Sequence, residues 1–97
     1  MIVLSGTVRF PAENLEAARP VMAAVIEASR REDGCILYSF GEDVIDAGLI
    51  RVSEVWRDQA ALDAHWAAPH FLAWREAAAG LGLHDRQITI YEAAPKP

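Results

Sequence analysis

The sequence predicts an α+β domain of the ferredoxin-like type, β-α-β-β-α-β, whose four-stranded antiparallel sheet carries both helices on one face. Three observations predict this fold class. Four segments alternate apolar and polar residues with the period of two that a β-strand requires. Two longer segments place apolar residues three and four positions apart, which is the spacing of an amphipathic helix. The length of 97 residues is that of one small domain, so residues 1–97 are expected to share a single core.

The first strand and the first helix are predicted near the start of the chain. Residues 2–10 alternate in the manner of a strand. A helix is expected to follow, with Asn14 as its N-cap, an end near Glu32 and Gly34 as its C-cap. Pro20 lies within this span. Because proline has no backbone N–H, a kink or a later helix start is expected there.

Two further strands are predicted over residues 35–42 and 49–57. The turn-forming sequence Asp-Ala-Gly at 46–48 joins them, and because this connection is short the two strands are expected to be antiparallel. One face of the second of these strands is expected to carry Ile50, Val52, Glu54 and Trp56.

The second helix is predicted to begin at Asp58, its N-cap, and to be interrupted at Pro69. A further helical piece is expected over residues 70–79, and a last strand over residues 87–93. His84 falls in the loop before that strand and is assigned no role.

Composition and alternation together predict a homodimer. Hydrophobic residues make up 53 % of the chain, which is above the usual share for a soluble domain. The strands carry apolar residues on both faces, and the helices cover only one of them. Two copies that place their open faces together would remove the other from water, as a symmetric dimer.

Charge and apolar-run length narrow the classes of partner. The net charge of −5 argues against a nucleic-acid partner, because phosphate recognition needs a basic face. No apolar run is long enough to cross a bilayer, so no membrane partner is expected. The first residues lack a basic leader, so a cytoplasmic location is expected. A single cysteine, Cys35, excludes an internal disulfide and a cysteine-based metal cluster.

Several motifs, in this order along nearly the whole chain, resemble the antibiotic biosynthesis monooxygenase domain. They are Gly34-Cys35-x-x-Tyr38, Glu54-Val55-Trp56-Arg57-Asp58, Ala61-Leu62, His65 and Pro69-His70-Phe71. The resemblance implies a dimeric α+β barrel and often the oxygenation of a quinol or polyphenol without a metal or organic cofactor. Similar proteins also include haem-degrading enzymes and an isomerase acting on a phosphorylated signalling sugar.

The haem-degrading branch can be tested on two positions. Its axial histidine lies four residues after the position matching Phe71, where this chain has Arg75. Its characteristic tryptophan corresponds to His65 here. Both residues differ, so haem degradation is not expected.

His65 is the first candidate catalytic residue, because an imidazole titrates near neutral pH and can take a proton from a phenol. A deprotonated quinol makes an electron available to dioxygen, so the protein has to supply only a base and a dry pocket. Glu54 is the second candidate, since a buried carboxylate on the preceding strand could orient His65. Structural roles are the alternatives: His65 could hydrogen-bond a strand residue, and Glu54 could pair with Arg51, with Arg57 or with a residue across the dimer.

Aromatic side chains could form the walls of a pocket for a flat substrate. The candidate substrate-binding residues are Tyr38, Trp56, Trp66, His70 and Phe71. His70 could bind an anionic substrate oxygen at the start of its helical piece, or it could be a solvent-exposed residue. Trp74 is expected in the core instead.

No metal and no organic cofactor are expected. His65, His70 and Glu54 are possible ligands, but the two histidines are five residues apart, unlike the i, i+4 pair of a zinc helix. No glycine-rich phosphate motif is present. The leading hypothesis is a cofactor-independent, homodimeric monooxygenase-like enzyme that oxidises a quinol or polycyclic phenol with dioxygen. The alternatives are an isomerase of the same fold acting on a small metabolite, such as a phosphorylated one, and a non-catalytic dimeric small-molecule-binding protein.

Overall fold

A computed structural model describes residues 1–97, and it confirms the predicted fold class. The second helical region is divided in two, which gives three helices in all. The elements are β1 (Ile2–Arg9), α1 (Leu15–Arg30), β2 (Cys35–Glu42), β3 (Leu49–Trp56), α2 (Gln59–Ala67), α3 (Pro69–Gly80) and β4 (His84–Glu92), with one 3-10 turn (Ala12–Asn14) before α1. No helix combines the length and the apolar character that crossing a membrane would require.

The sheet is antiparallel throughout, with the strand order β2-β3-β1-β4. This order places β1 and β3 at the centre, so each of them is hydrogen-bonded to a neighbouring strand along both of its edges. On the inner face, the register forms one row across all four strands from Tyr38, Glu54, Leu4 and Ile90. Glu54 therefore lies near the middle of the buried face with Tyr38 beside it.

The core fills the space between the inner face and the helices. Its buried side chains are apolar, and removing them from water is the main force that holds the helices to the sheet. They form two groups, one of Val8, Phe10, Leu15, Ala18, Met22, Ile50, Val52 and Ala78 and the other of Ile2, Leu4, Val25, Tyr38, Trp56, Ala61 and Leu62. The predicted inward face of β3 is confirmed, since Ile50, Val52, Glu54 and Trp56 are all buried.

The ends of α1 differ from the prediction. Asn14 makes no side-chain cap; its amide instead donates to the Leu81 carbonyl at 2.8 Å, which ties the start of α1 to the end of α3. The helix begins at Leu15, so the later start considered because of Pro20 is not observed. It ends at Arg30, and Gly34 lies beyond it in the turn to β2.

Gly34 is required by that turn and not by the end of the helix. Its φ of +85° is in the region that favours glycine. A Cβ atom at this position would also lie 2.6 Å from the Cβ of Ala61, in the first turn of α2. Gly34 thus lets the turn pack directly against α2.

The boundary between α2 and α3 follows from one proline. Asp58 caps α2 as predicted, with its carboxylate accepting a hydrogen bond from the Ala61 N–H at 2.9 Å. Ala68 is extended, with φ −70° and ψ 141°, as the residue before a proline prefers. Pro69 occupies the first position of α3, where its missing N–H has no helical partner to lose.

The last strand is longer than predicted. It begins at His84 rather than residue 87, so His84 lies in a strand and not in a loop. A register shift between Thr7 and Arg9 makes this possible, because it brings Arg9 opposite His84 at the end of the β1–β4 ladder.

The open face of the sheet carries two distinct rows of side chains. The first row is apolar and consists of Leu37, Val55, Val3 and Tyr91. The next row carries hydroxyl groups and consists of Ser39, Ser53, Ser5 and Thr89. At the two edges of the apolar row, Leu37 is 44 % exposed and Tyr91 is 52 % exposed. Apolar surface is therefore concentrated in one band of the open face.

Candidate functional site

A cavity of about 230 Å³ lies between the inner face of the sheet and α3. Its lining is mostly aliphatic and aromatic, with three charged residues. The lining residues are Leu4, Val8, Tyr38, Phe40, Val52, Glu54, Trp66, Phe71, Trp74, Arg75, Ala78, Ala79, Leu83, Arg86 and Ile88. A larger open groove, of about 350 Å³, runs between α1 and α3, but His70 is its only polar side chain with titratable chemistry. The inner cavity therefore combines enclosure with convergent charged groups and is the better candidate site.

Glu54 supplies the buried carboxylate of this cavity. It is 7 % exposed and accepts a hydrogen bond from the Trp56 indole N–H at 3.0 Å. The two side chains meet because residues two apart on a strand point to the same face. Burial raises the pKa of the Glu54 carboxyl, while the Trp56 hydrogen bond and the charge of Arg86 oppose that rise.

His65 is fully buried in the last turn of α2 and is held by Glu32. Its Nδ1 lies 2.8 Å from Oε1 of Glu32, which is in the turn after α1. Its Nε2 is buried with no hydrogen-bond partner in the protein. Burial lowers the pKa of His65, and the hydrogen bond and charge of Glu32 act in the opposite direction. The prediction that Glu54 orients His65 is therefore wrong, and the alternative ion pair of Glu54 with Arg51 or Arg57 is not formed within the chain, since both arginines pair with aspartates.

The imidazole of His65 lies among aromatic rings. Its centroid is 4.5 Å from that of Trp56, 4.9 Å from that of Phe71 and 5.2 Å from that of Tyr38. Phe71 and Tyr38 also line the cavity. His65 itself is not part of the cavity wall, so these two rings stand between its imidazole and the cavity.

His70 lies in the first turn of α3 and is not a free surface residue. Its Nε2 is hydrogen-bonded to the same Glu32 oxygen that holds His65. Its side chain is 28 % exposed and reaches the outer groove rather than the inner cavity. A role as the ligand of a substrate anion in the inner cavity is thus not supported by its position.

The predicted aromatic residues divide between the cavity and the core. Tyr38, Trp66 and Phe71 line the cavity, whereas Trp56 is fully buried behind Glu54. Trp74, expected in the core alone, does pack edge-on against Phe10 but also lines the cavity. Its indole spans both regions because it lies where the core and the cavity meet. Burial raises the pKa of the Tyr38 hydroxyl, which therefore stays protonated at neutral pH.

Two arginines of the cavity were not among the predicted site residues. Arg75 and Arg86 line it, and neither forms an ion pair; the ion-paired arginines are Arg9, Arg19, Arg51 and Arg57. Spacing could have indicated Arg75, since it is four residues after Phe71 and so shares its face of α3. Alternation could likewise have indicated Arg86, two residues before Ile88.

Glu32 was also missed, and it changes the set of possible metal ligands. The ligand atoms of Glu32, His65 and His70 all lie within 4.8 Å of one another. Glu54, considered above as the third ligand, instead binds Trp56. Glu32 comes from a polar run at a helix end, where no spacing rule connects it to a histidine 33 residues away.

A family model identifies the family of this chain, and two relatives are similar to it in sequence. The family model described as antibiotic biosynthesis monooxygenase matches residues 1–77. An uncharacterized protein of Synechocystis sp. is 37 % identical over 93 residues, covering 96 % of this chain and 63 % of the relative. The chain thus spans somewhat less than two thirds of that relative's length. A Mycobacterium tuberculosis protein named "Putative monooxygenase Rv0793" is 34 % identical over 74 residues, covering 76 % of this chain and 72 % of the relative.

Solved structures give the same result over the full length of the chain. The crystal structure of a "putative antibiotic biosynthesis monooxygenase" from Deinococcus radiodurans superposes with a TM-score of 0.91 at 32 % identity. It covers 100 % of this chain and 96 % of that one. The structure of Rv0793 superposes with a TM-score of 0.82 at 28 % identity, covering 99 % of this chain and 98 % of that one.

Proposed function

The chain belongs to the antibiotic biosynthesis monooxygenase family, and we propose that it oxidises a quinol or phenol with dioxygen, without a metal or organic cofactor, with His65 as the base. One observation carries the proposal. Glu32 holds Nδ1 of His65 at 2.8 Å and leaves Nε2 without a protein partner. That is the arrangement in which a carboxylate orients an imidazole and stabilises it once it has taken a proton.

The electrostatics of His65 suit a base. Because burial lowers its pKa, the imidazole is neutral near pH 7 and has a lone pair to accept a proton. Tyr38 and Phe71 separate the imidazole from the cavity, with their ring centroids 5.2 Å and 4.9 Å from that of His65. The proposal therefore requires the Phe71 side chain to move aside when a substrate in the cavity reaches Nε2.

The cavity favours a compact aromatic substrate. Its volume of about 230 Å³ is below the roughly 300–1,000 Å³ usual for small-molecule pockets. A single substituted ring, or two fused rings, fits that space better than a larger polycycle. Tyr38, Trp66 and Phe71 offer flat apolar surfaces, and the positive charges of Arg75 and Arg86 favour a phenolate over a phenol.

The reaction balances without an external reductant. His65 takes the phenolic proton, and the resulting anion gives an electron to dioxygen. A bond then forms between a ring carbon and one oxygen atom, giving a hydroperoxide. Loss of water from the hydroperoxide leaves a quinone: one oxygen atom stays in the product, the other leaves as water, and the substrate supplies all four electrons. The protein has to provide the base, the anion site and the exclusion of bulk water.

The proposed enzyme is a homodimer. The apolar row of Leu37, Val55, Val3 and Tyr91 supports this, because a contiguous apolar band on a sheet is best removed from water by another surface. A second copy of the same face is the simplest such surface. The sedimentation coefficient of the chain and of Val55→Asp tests it, since only the variant should sediment as a monomer.

Oxygen uptake with a panel of quinols and naphthols, in chelator and with no added cofactor, tests the activity. His65→Gln keeps an amide that can bond Glu32 but cannot accept the proton, so turnover should fall by at least 100-fold. His84→Ala is the matched control, because His84 is exposed and does not line the cavity. Equal turnover of His65→Gln and the parent chain, both folded by circular dichroism, would reject His65 as the base.

The same experiment separates the two alternatives. Proton exchange or isomer formation without oxygen uptake would indicate an isomerase that uses the same histidine. Absence of turnover together with a ligand-induced rise in melting temperature would indicate a binding protein.

A further inference from the structure

We propose that Glu32, His65 and His70 form a binding site for a divalent first-row transition-metal ion such as Zn²⁺ or Co²⁺. This goes beyond the proposed oxidation of a phenol, which needs no metal. The three residues come from the turn after α1, the last turn of α2 and the first turn of α3. They converge on a single carboxylate oxygen.

The geometry is close to that of a bound ion. Oε1 of Glu32 lies 2.8 Å from Nδ1 of His65 and is also hydrogen-bonded by Nε2 of His70. All three ligand atoms lie within 4.8 Å of one another. Zinc bonds of about 2.0–2.1 Å in tetrahedral geometry place ligand atoms about 3.3 Å apart. Small side-chain rotations therefore suffice to admit an ion in place of the shared hydrogen-bond protons.

The break between α2 and α3 produces this convergence. On one continuous helix, residues five apart would point about 140° away from each other. The extended Ala68 and the restart at Pro69 turn the second helix, so that both imidazoles reach the same oxygen. The five-residue spacing differs from the i, i+4 pair of a zinc helix, but with this break between the two histidines it still brings both imidazoles to one carboxylate oxygen.

The ligand set selects the class of ion. Two imidazole nitrogens and one carboxylate oxygen suit zinc, cobalt and iron(II), whereas calcium and magnesium need more oxygen ligands. Three protein ligands leave a fourth position for water or a small anion, as in open zinc sites. His65 is the fixed inner ligand, with a side chain 1 % exposed, while His70 at 28 % gives the route from solvent.

Metal binding and the proposed base use the same imidazole. An ion on Nδ1 of His65 would withdraw electron density from the ring and leave Nε2 bearing a proton. The metal-bound histidine then cannot accept the phenolic proton. We therefore expect saturating Zn²⁺ to lower turnover at least 10-fold.

Titration of the untagged full chain with Co²⁺, followed by visible absorption, tests the site. We expect a saturable spectrum at one ion per chain, reversed by added Zn²⁺. His70→Ala should weaken Co²⁺ binding more than the roughly 10- to 100-fold that loss of an outer-sphere partner costs. His84→Ala, which removes an exposed histidine outside the cluster, should bind Co²⁺ as the parent chain does.

Two results would overturn the proposal. One is a parent chain that shows no saturable cobalt spectrum, and the other is a His70→Ala chain that binds cobalt as tightly as the parent. If His70→Ala does not fold, the isosteric Glu32→Gln decides, because its amide oxygen is a far weaker ligand than a carboxylate.

The metal site and the oxygenase can fail separately. Cobalt binding with no oxygen uptake in chelator supports the metal site and rejects the oxygenase. Oxygen uptake in chelator with no cobalt binding rejects the metal site alone. Oxygen uptake that requires added metal rejects the cofactor-free reaction but is consistent with the metal site.

Discussion

Two carboxylates next to the core, the buried Glu54 and the partly buried Glu32, are held in opposite ways. Glu32 lies in a turn and contacts two imidazoles, which can both give up and take protons. Glu54 lies in the central strand β3 and contacts one indole N–H, which cannot. Carboxyl groups in such different environments differ in pKa and therefore in the chemical role they can take. Glu32 is suited to supporting proton transfer or a metal ion, and Glu54 to presenting a carboxyl whose raised pKa favours protonation.

Turnover should separate the two carboxylates most strongly. Glu32→Gln removes the charge that stabilises the protonated imidazole of His65, so we expect the rate constant kcat for phenol oxidation to fall about 100-fold. Glu54→Gln keeps a hydrogen-bond acceptor for Trp56, and kcat should change less than about 10-fold. Steady-state oxygen uptake measures both. A larger effect of Glu54→Gln would reverse the assignment.

The turn that carries Glu32 should be more sensitive to a methyl group than the end of α3. In Gly34→Ala the new residue would have to adopt a positive φ, and its Cβ would lie 2.6 Å from the Cβ of Ala61. The substitution should therefore lower the free energy of unfolding by about 1–3 kcal/mol. Gly80→Ala is the control, since its added Cβ would have no neighbour within 4 Å. Gly80→Ala should stabilise the chain by up to about 1 kcal/mol. Thermal unfolding, with a drop for Gly34→Ala only, checks the pair.

Acid should weaken the region of His65. Because its folded pKa is lowered below 6.5 by burial, the unfolded chain binds more protons as the pH falls through 6.5. The melting temperature of the parent chain should therefore decrease from pH 7 to pH 5. In His65→Gln this decrease should be smaller by a few degrees. Parallel curves for the two chains would mean that His65 does not contribute to the acid sensitivity.

Raising the pH through the acidic range should have the opposite effect on stability at Glu54. Its folded pKa is raised above 4.5, so the folded chain retains a proton that the unfolded chain loses as the pH rises through 4.5. Glu54 thus lowers stability above that pH and not below it. Glu54→Gln should raise the melting temperature at pH 7 and leave it unchanged at pH 3.5. An equal gain at both pH values would attribute the effect to packing instead.

Local patterns predicted the parts of the molecule that depend on local rules. Alternation in β3 placed Glu54 and Trp56 together on the buried face, and Asp58 was identified as a cap by its position before a helix. Pro69 marked the boundary between two helices, although the helix starts one residue earlier than predicted. Each of these depends on neighbours within four residues.

The partners of His65 and His70 depend on contacts between distant segments. Glu32 is 33 residues before His65 and belongs to a different element, so its role follows only from how the turn packs on α2. Trp74 has the spacing of a core residue, and that spacing cannot indicate that the cavity reaches it. Helical periodicity does place Arg75 on the same face of α3 as Phe71, so its position at the cavity follows from a local rule.

The close packing of Gly34 against α2 also determines which segments would have to be grafted together onto another protein scaffold. The turn and the first turn of α2 approach so closely that neither can be reshaped alone. A designer who grafts α2 and α3 onto another scaffold would carry over both imidazoles but not the carboxylate that aligns them. Residues 31–34 therefore belong to the same exchangeable module as the two helices, although a strand hairpin separates them in sequence.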